Sequence, residues 1–308
     1  MDRVMCSDVE VGPLAGTAKQ ESVYVLFESP GGWSRDVLDG GTFGDELTAQ
    51  LKSTLAGAGA SLQLIRRAGR RGRDVKKLRR CYLVWARHEV IELVLLPGPE
   101  DILGLDLSGP GKNGGERIDT PLVLVCTHSK RDQCCAVKGR PLAAQLTQTC
   151  PDSVVWESSH MKGHRFAPAV QVMPWAYSYG RLNTQAAQDM AEAALRGELF
   201  YPANRGRGIW SERGQVAELA VARELIEDGE TPAFGDLVVP AELDGTRGKK
   251  DKKAPSQLVR IAHRRDGRQW EVEVEPQTVE GIVASCGKGP KTETAWVAVA
   301  VRPVEAED

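Results

Sequence analysis

The sequence predicts an α/β protein that closes with an α+β region. Three observations carry this. Strand-like and helix-like stretches alternate between residues 21 and 96, and again between 120 and 204. A Gly- and Pro-rich stretch, residues 97–119, separates the two blocks. After residue 205 a single helical pattern is followed by strand patterns only, which suits an antiparallel sheet.

In the first block, residues 21–30 alternate Val23, Val25 and Phe27 with Tyr24, Leu26 and Glu28 before Pro30, as a strand does. Residues 44–57 repeat Leu47, Leu51 and Leu55 at helical spacing, and Gly57 and Gly59 end the helix. Strands follow at about 61–66, 80–87 and 90–96. Residues 1–98 are thus expected to form one domain, with 99–119 as a linker. The linker contains a formal GxGxxG, from Gly109 to Gly114. A dinucleotide site needs a strand before that motif and a helix after it. Here a strand follows and Pro110 interrupts the loop, so a connector is the expectation.

Residues 120–204 form the second expected domain. Pro121–Cys126 is an apolar strand, 140–149 a short helix, and Ser153–Trp156 a second strand. Strands at Ala169–Met173 and Tyr177–Leu182 flank Pro174-Trp175, and Asn183 or Thr184 caps a helix that runs to Arg196 and stops at Gly197. The order β-α-β, loop, β-β-α is that of a thioredoxin-like domain. Residues 205–308 hold a helix at 214–228, with Val216, Leu219, Ala220 and Ile226 on one face. A charged loop at 244–255 and strands at about 256–263, 268–275 and 294–302 follow. No chemistry is expected in this region, and Cys286 reads as a spectator thiol.

Composition narrows the function. Lys+Arg 40 against Asp+Glu 42 gives net −2, which does not argue for nucleic acid. No apolar run approaches the ~18–20 residues of a membrane span. The first residues lack a signal-peptide core, so a cytoplasmic location is expected, with the seven cysteines reduced, metal-bound or redox-active. Residues 66–80 carry nine Lys/Arg and one Asp, either a solvated loop or a docking patch for an acidic partner.

The chemistry concentrates between residues 126 and 164. Three of the seven cysteines, Cys126, Cys134 and Cys135, fall within ten residues after the first strand. His160 and His164 follow the second strand, four residues apart. C-terminal ends of neighbouring strands lie close in space, so the clusters can meet. Met161 stands where a zincin needs its Glu, which removes that hydrolase. No C-x-x-C is present, so a thioredoxin-type dithiol is out, and Cys126-Thr-His128 is only half of a Rieske motif. Two readings stay open. One is a structural Cys₂His₂ zinc site in a binding module that docks a partner through the basic run. The other is a [2Fe–2S] cluster with Cys126 and Cys135 on one iron and His160 and His164 on the other. Such a cluster, with a +2 oxidised core, two thiolates and two neutral imidazoles, sums to zero. It accepts an electron more readily than a four-thiolate centre, whose potential lies near about −400 mV. A weaker third idea is a thiol reductase using Cys134 or Cys135.

At these residues the chain resembles the sucrase/ferredoxin-like family of thioredoxin-like [2Fe–2S] ferredoxins. The matching segments are Val125–Leu142, with Cys126, Asp132 and Cys135 at the family spacing, then His160–Pro168 with its Gly-His-Arg-Phe-Ala run, then Tyr179–Leu182. The resemblance implies tandem thioredoxin-like domains, the second carrying the cluster on Cys126, Cys135, His160 and His164. The first is then without a cluster, in keeping with residues 20–96 holding only Cys81 and His88 of the relevant types. Few groups suit substrate turnover, so a one-electron carrier rather than an enzyme with its own substrate is expected, with proton coupling at the histidines and a reductase and an acceptor as redox partners. Nucleic acid and membrane are not expected partners. Cys134 departs from the family pattern and competes with Cys135 as the second thiolate. Among supporting residues, Asp132 is expected to fix its loop, Lys162 and Arg165 to stabilise the reduced cluster by charge, Gly163 to allow close backbone approach to it, and Pro168 to be cis.

Overall fold

The computed structural model describes residues 5–74, 76–240 and 256–304. The predicted charged loop at 244–255 lies outside them. The first half contains β1 (Val23–Glu28), α1 (Asp45–Gly57), β2 (Ala60–Arg66), β3 (Arg79–Trp85), β4 (Val90–Leu96) and a short β5 (Glu116–Arg117). The second contains β6 (Leu122–Cys126), α2 (Gln133–Thr149), β7 (Val155–Ser158), β8 (Ala169–Met173), β9 (Tyr177–Gly180), α3 (Thr184–Arg196) and β10 (Asn204–Arg207). All ten strands join one mixed sheet in the order β10-β9-β8-β6-β7-β2-β1-β3-β4-β5.

The two halves repeat one plan. In the first, β1 pairs parallel with β2 and antiparallel with β3; in the second, β6 pairs parallel with β7 and antiparallel with β8. The equivalent strands β2 and β7 meet antiparallel, Ile65 opposite Ser158, so the halves are related by an approximate twofold. Polar side chains fill this seam. Ser158 Oγ donates to Gln63 Oε1 (3.1 Å), Gln63 Nε2 to Gln171 Oε1 (3.1 Å), and Gln171 Nε2 to the Tyr24 hydroxyl (3.2 Å). Buried polar groups cost free energy unless paired, so this chain of bonds specifies the register of the two halves.

Residues 99–119 run along the first half. Ile102 and Leu107 are buried in its core and Glu116–Arg117 pairs with β4. That core also takes Val25, Phe27, Leu51, Leu55 and Cys81. Burying each large apolar side chain contributes about 1.5–3 kcal/mol.

Helix α2 starts seven residues before the predicted 140. Asp132 caps the helix by accepting from the Cys134 N–H (3.0 Å), and the helix continues through Gly139 and Pro141. The carbonyl that Pro141 leaves without an N–H belongs to Val137, which lies on the exposed face where water can reach it. Asn183 and Gly197 cap α3 as expected.

Beyond residue 205, α4 (Glu212–Glu227) lies between the large sheet and a second, antiparallel sheet. That sheet runs β11 (Leu237–Val238), β12 (Gln257–His263), β13 (Gln269–Ile282), β14 (Lys291–Val304). Helix α4 is buried on nearly every side, from Arg213 to Ala222 and at Leu225, as a helix between two layers must be. Strands β13 and β14 are each 14 residues long, about 46 Å extended, and they carry their connecting loop back towards the second half of the large sheet.

Candidate metal centre

Parallel pairing of β6 with β7 sets Cys126 opposite Ser158. The chain leaving β6 and the chain leaving β7 therefore run side by side, and the second reaches His160 two residues on. Helix α2 begins between them, with Cys134 and Cys135 in its first turn. Gly139 lets the helix settle onto β6: a Cβ at that position would overlap the carbonyl oxygen of Cys126.

The Sγ atoms of Cys126 and Cys135 and a ring nitrogen of His160 all lie within 4.8 Å of one another. The His164 ring is tilted beside that of His160, centroid to centroid 5.1 Å. The structure thus brings Cys126, Cys135 and His160 into one group and sets His164 beside it, outside that 4.8 Å limit. Among the described residues, the four ring nitrogens of His160 and His164 are buried without a hydrogen bond of ordinary geometry. Four orphaned imidazole nitrogens beside two thiols form a donor set that suits a metal centre.

Electrostatics prepares the thiols. The Cys126 thiol is held well below the usual range because the Cys135 S–H hydrogen-bonds to it, with His160 adding to the effect and burial opposing it. The Cys135 thiol is pushed up by the same bond and by burial. Burial also lowers the pKa of His164, keeping its imidazole neutral.

Cys134 faces the other way. Its Sγ lies 3.2 Å from Cys286 Sγ and 3.5 Å from Cys6 Sγ. Cys286, expected to be a spectator, instead joins a second buried cluster, because the β13–β14 hairpin delivers its loop to the N-terminus of α2. Ser285 Oγ and the Cys286 N–H both donate to Asp132 Oδ2, at 2.8 and 2.9 Å. Asp132 therefore fixes more than its own loop: it caps α2, holds the hairpin and lies 3.7 Å from His164 Nε2. Burial alone would raise its pKa, but the Cys286 and Cys134 N–H donors together hold the carboxyl below its usual range.

The sequence places His128 only in half of a Rieske motif and does not reveal its structural role. Its Nε2 donates to the Ser34 carbonyl (2.7 Å) and its Nδ1 accepts from the His160 N–H (3.1 Å). It ties the first half of the sheet to the turn that carries His160, and with both ring nitrogens in hydrogen bonds it differs from His160 and His164.

The supporting residues sort as follows. Gly163 adopts φ +83, and a Cβ there would overlap the Arg205 guanidinium. Its conformational freedom therefore serves the approach of Arg205. That buried arginine donates to Thr17 Oγ1 (3.1 Å) and to the Lys162 carbonyl (3.5 Å), clamping the histidine-bearing turn. Arg165 stacks over Phe166 at 4.1 Å and reaches Glu293 at 4.0 Å. The Ala167-Pro168 bond is cis. Lys162 joins Lys19, Arg35, Lys52 and Arg131 along a cleft of about 330 Å³ that reaches His160. The basic run at 66–80 is anchored at its ends, where Arg66 pairs with Glu157 (2.8 Å) and Arg80 with Glu28 (3.5 Å).

A family model described as sucrase/ferredoxin-like matches residues 14–206, which span both halves of the large sheet and include Cys126, Cys135, His160 and His164. The chain belongs to the sucrase/ferredoxin-like family. No curated protein and no solved structure matches it. Cys6 and Cys286 both lie outside the matched residues. Among the described residues, no helix is long and apolar enough to cross a membrane.

Proposed function

We propose that this chain is a one-electron carrier in which Cys126, Cys135, His160 and His164 ligate a [2Fe–2S] cluster. The observation that carries this is the grouping of two buried thiols with His160, with His164 beside it, and four buried ring nitrogens that make no hydrogen bond of ordinary geometry. When bound, the cluster supplies a one-electron couple, at a potential above that of four-thiolate centres. The repeated β-α-β plan of the two halves supports the tandem thioredoxin-like reading, with the second half holding the cluster.

The chain's own residues then do three things. Helix α2 presents Cys135 at its positive end. His128 and Arg205 hold the turn that carries His160 and His164. The cations of the cleft, Lys19, Arg35, Lys52, Arg131 and Lys162, attract an acidic redox partner to the side of His160. Proton uptake at a histidine ligand accompanies reduction, which makes the potential depend on pH. The seven cysteines are all unpaired, which suits a carrier in the cytoplasm.

A zinc ion on the same residues is the rival reading, favoured by the tightness of the Cys126, Cys135 and His160 group. One sample decides. Protein purified without oxygen is assayed for iron, sulfide and zinc, and its visible spectrum is recorded before and after dithionite. About two irons and two sulfides per chain, with absorption that bleaches, are expected. A colourless protein that stays so after reconstitution with iron and sulfide overturns the carrier.

A further inference from the structure

The second thiol cluster stands apart from the four residues assigned above. Cys6, Cys134 and Cys286 come from the N-terminal segment, the first turn of α2 and the β13–β14 loop. Their sulfurs form a triangle with sides of 3.5, 3.2 and 3.6 Å. Asp132 closes the figure, both carboxylate oxygens lying 3.9 Å from Cys6 Sγ. The four donors lie within 4.8 Å of one another, and three of the four residues are buried.

Four-coordinate zinc with Zn–S bonds of about 2.3 Å places its sulfurs about 3.8 Å apart. The triangle is slightly tighter than that and needs only small outward shifts. A dithiol awaiting oxidation would join two of the sulfurs and leave the third and the carboxylate without a role. The Cys6 N–H already donates to Cys286 Sγ (3.4 Å), the kind of backbone bond that steadies a thiolate ligand. A carboxylate offers about four acceptor positions. Asp132 gives three of them to Cys134 N–H, Ser285 Oγ and Cys286 N–H, which leaves one for a metal.

We propose that Cys6, Cys134, Cys286 and Asp132 bind a structural zinc ion that pins the β13–β14 hairpin loop and the N-terminal segment to the start of α2. Binding converts the thiols to thiolates and releases their protons to solvent. All four coordination positions come from the protein, as in closed structural sites. The consequence for the neighbouring centre is mechanical: the loop that carries Ser285 and Cys286 is fixed against Asp132, which in turn stands beside His164.

The test uses the full chain, purified after growth with zinc and iron, stripped of loose metal with a mild chelator, and examined by metal analysis and zinc-edge X-ray absorption. One zinc per chain is expected, bound by three sulfurs at about 2.3 Å and one oxygen at about 2.0–2.2 Å. Cys6→Ala and Cys286→Ala should each lose that zinc and keep their iron. Absence of zinc after reconstitution with Zn²⁺ alone overturns the proposal. So does zinc retained by the double variant, or a Cys134–Cys286 disulfide in the mass spectrum. If the variants do not fold, the wild-type absorption data decide on their own. Zinc bound by two sulfurs and two nitrogens places the metal on Cys126, Cys135, His160 and His164, which sinks this site and the carrier together. Three sulfurs and an oxygen in a colourless protein sink the carrier alone.

Discussion

Cys134 and Cys135 are neighbours in the chain, yet their sulfurs belong to different clusters. Cys135 faces Cys126 and His160, while Cys134 faces Cys6 and Cys286. Successive residues of a helix project about 100° apart, enough to send one side chain towards β6 and the next towards the hairpin loop. Replacing each cysteine with serine should therefore give opposite results. Cys135→Ser is expected to lose the visible absorption and the iron. Cys134→Ser should keep both. Iron retained by Cys135→Ser and lost by Cys134→Ser would reverse the assignment.

The imidazoles should set the potential. A double His160→Cys, His164→Cys variant replaces two neutral donors with two thiolates and adds two negative charges. Its midpoint potential is expected to fall towards the plant-type value of about −400 mV. Redox titration of the two proteins side by side checks this. An unchanged potential would mean that the histidines are not ligands.

His128 should act through position. His128→Leu keeps the volume roughly but leaves the Ser34 carbonyl and the His160 N–H without their partner. Each orphaned buried group costs about 1–3 kcal/mol. The urea midpoint should drop, and the spectrum of any cluster that forms should shift with the displaced His160. His128→Gln, which can donate and accept, should recover part of the loss.

Gly139→Ala tests the contact of α2 with β6. The added methyl would overlap the Cys126 carbonyl oxygen, which belongs to backbone and cannot swing away. Overpacking of this kind costs about 1–3 kcal/mol. The helix must tilt or withdraw, carrying Cys135 away from Cys126, so iron occupancy should fall along with the melting temperature. Gly197→Ala, at a helix end with open space around it, should leave iron occupancy unchanged.

Glu218 should give the protein a pH-dependent weakness. It is fully buried on α4, faces Arg207, and accepts a 2.5 Å hydrogen bond from Tyr177. Burial pushes its carboxyl from the ordinary 4.5 up to about 7, against the pull of Arg207 and Tyr177. Below about pH 4.5 both the folded and unfolded states hold the proton, and no stability is lost. Between 4.5 and 7 the unfolded state releases it first, so stability falls as pH rises. The loss is complete above about pH 7 and amounts to about 3 kcal/mol. Urea midpoints measured from pH 4.5 to 8 should show that decline in the wild type. Glu218→Gln should flatten it, and an unchanged slope would place the titrating group elsewhere.

What the sequence determined by itself is local. Strand alternation in residues 21–30, leucine spacing in 44–57 and the Asn183 and Gly197 caps each depend on neighbours a few residues away. So does the placing of Cys126 and His160 after adjacent strands, and these features were legible. Helix α2 was only half legible: its expected start at residue 140 lay seven residues beyond the Asp132 cap from which it begins. The tertiary structure decided everything that needed segments far apart in the chain. It paired β2 with β7 to make one sheet of two halves, and it separated Cys134 from Cys135. It set His128 between Ser34 and His160, and it carried Cys286 back to Asp132, 154 residues earlier, and to Cys6, 280 residues earlier. Side-chain chemistry announces what a residue can bind, but only the path of the backbone decides which residues meet.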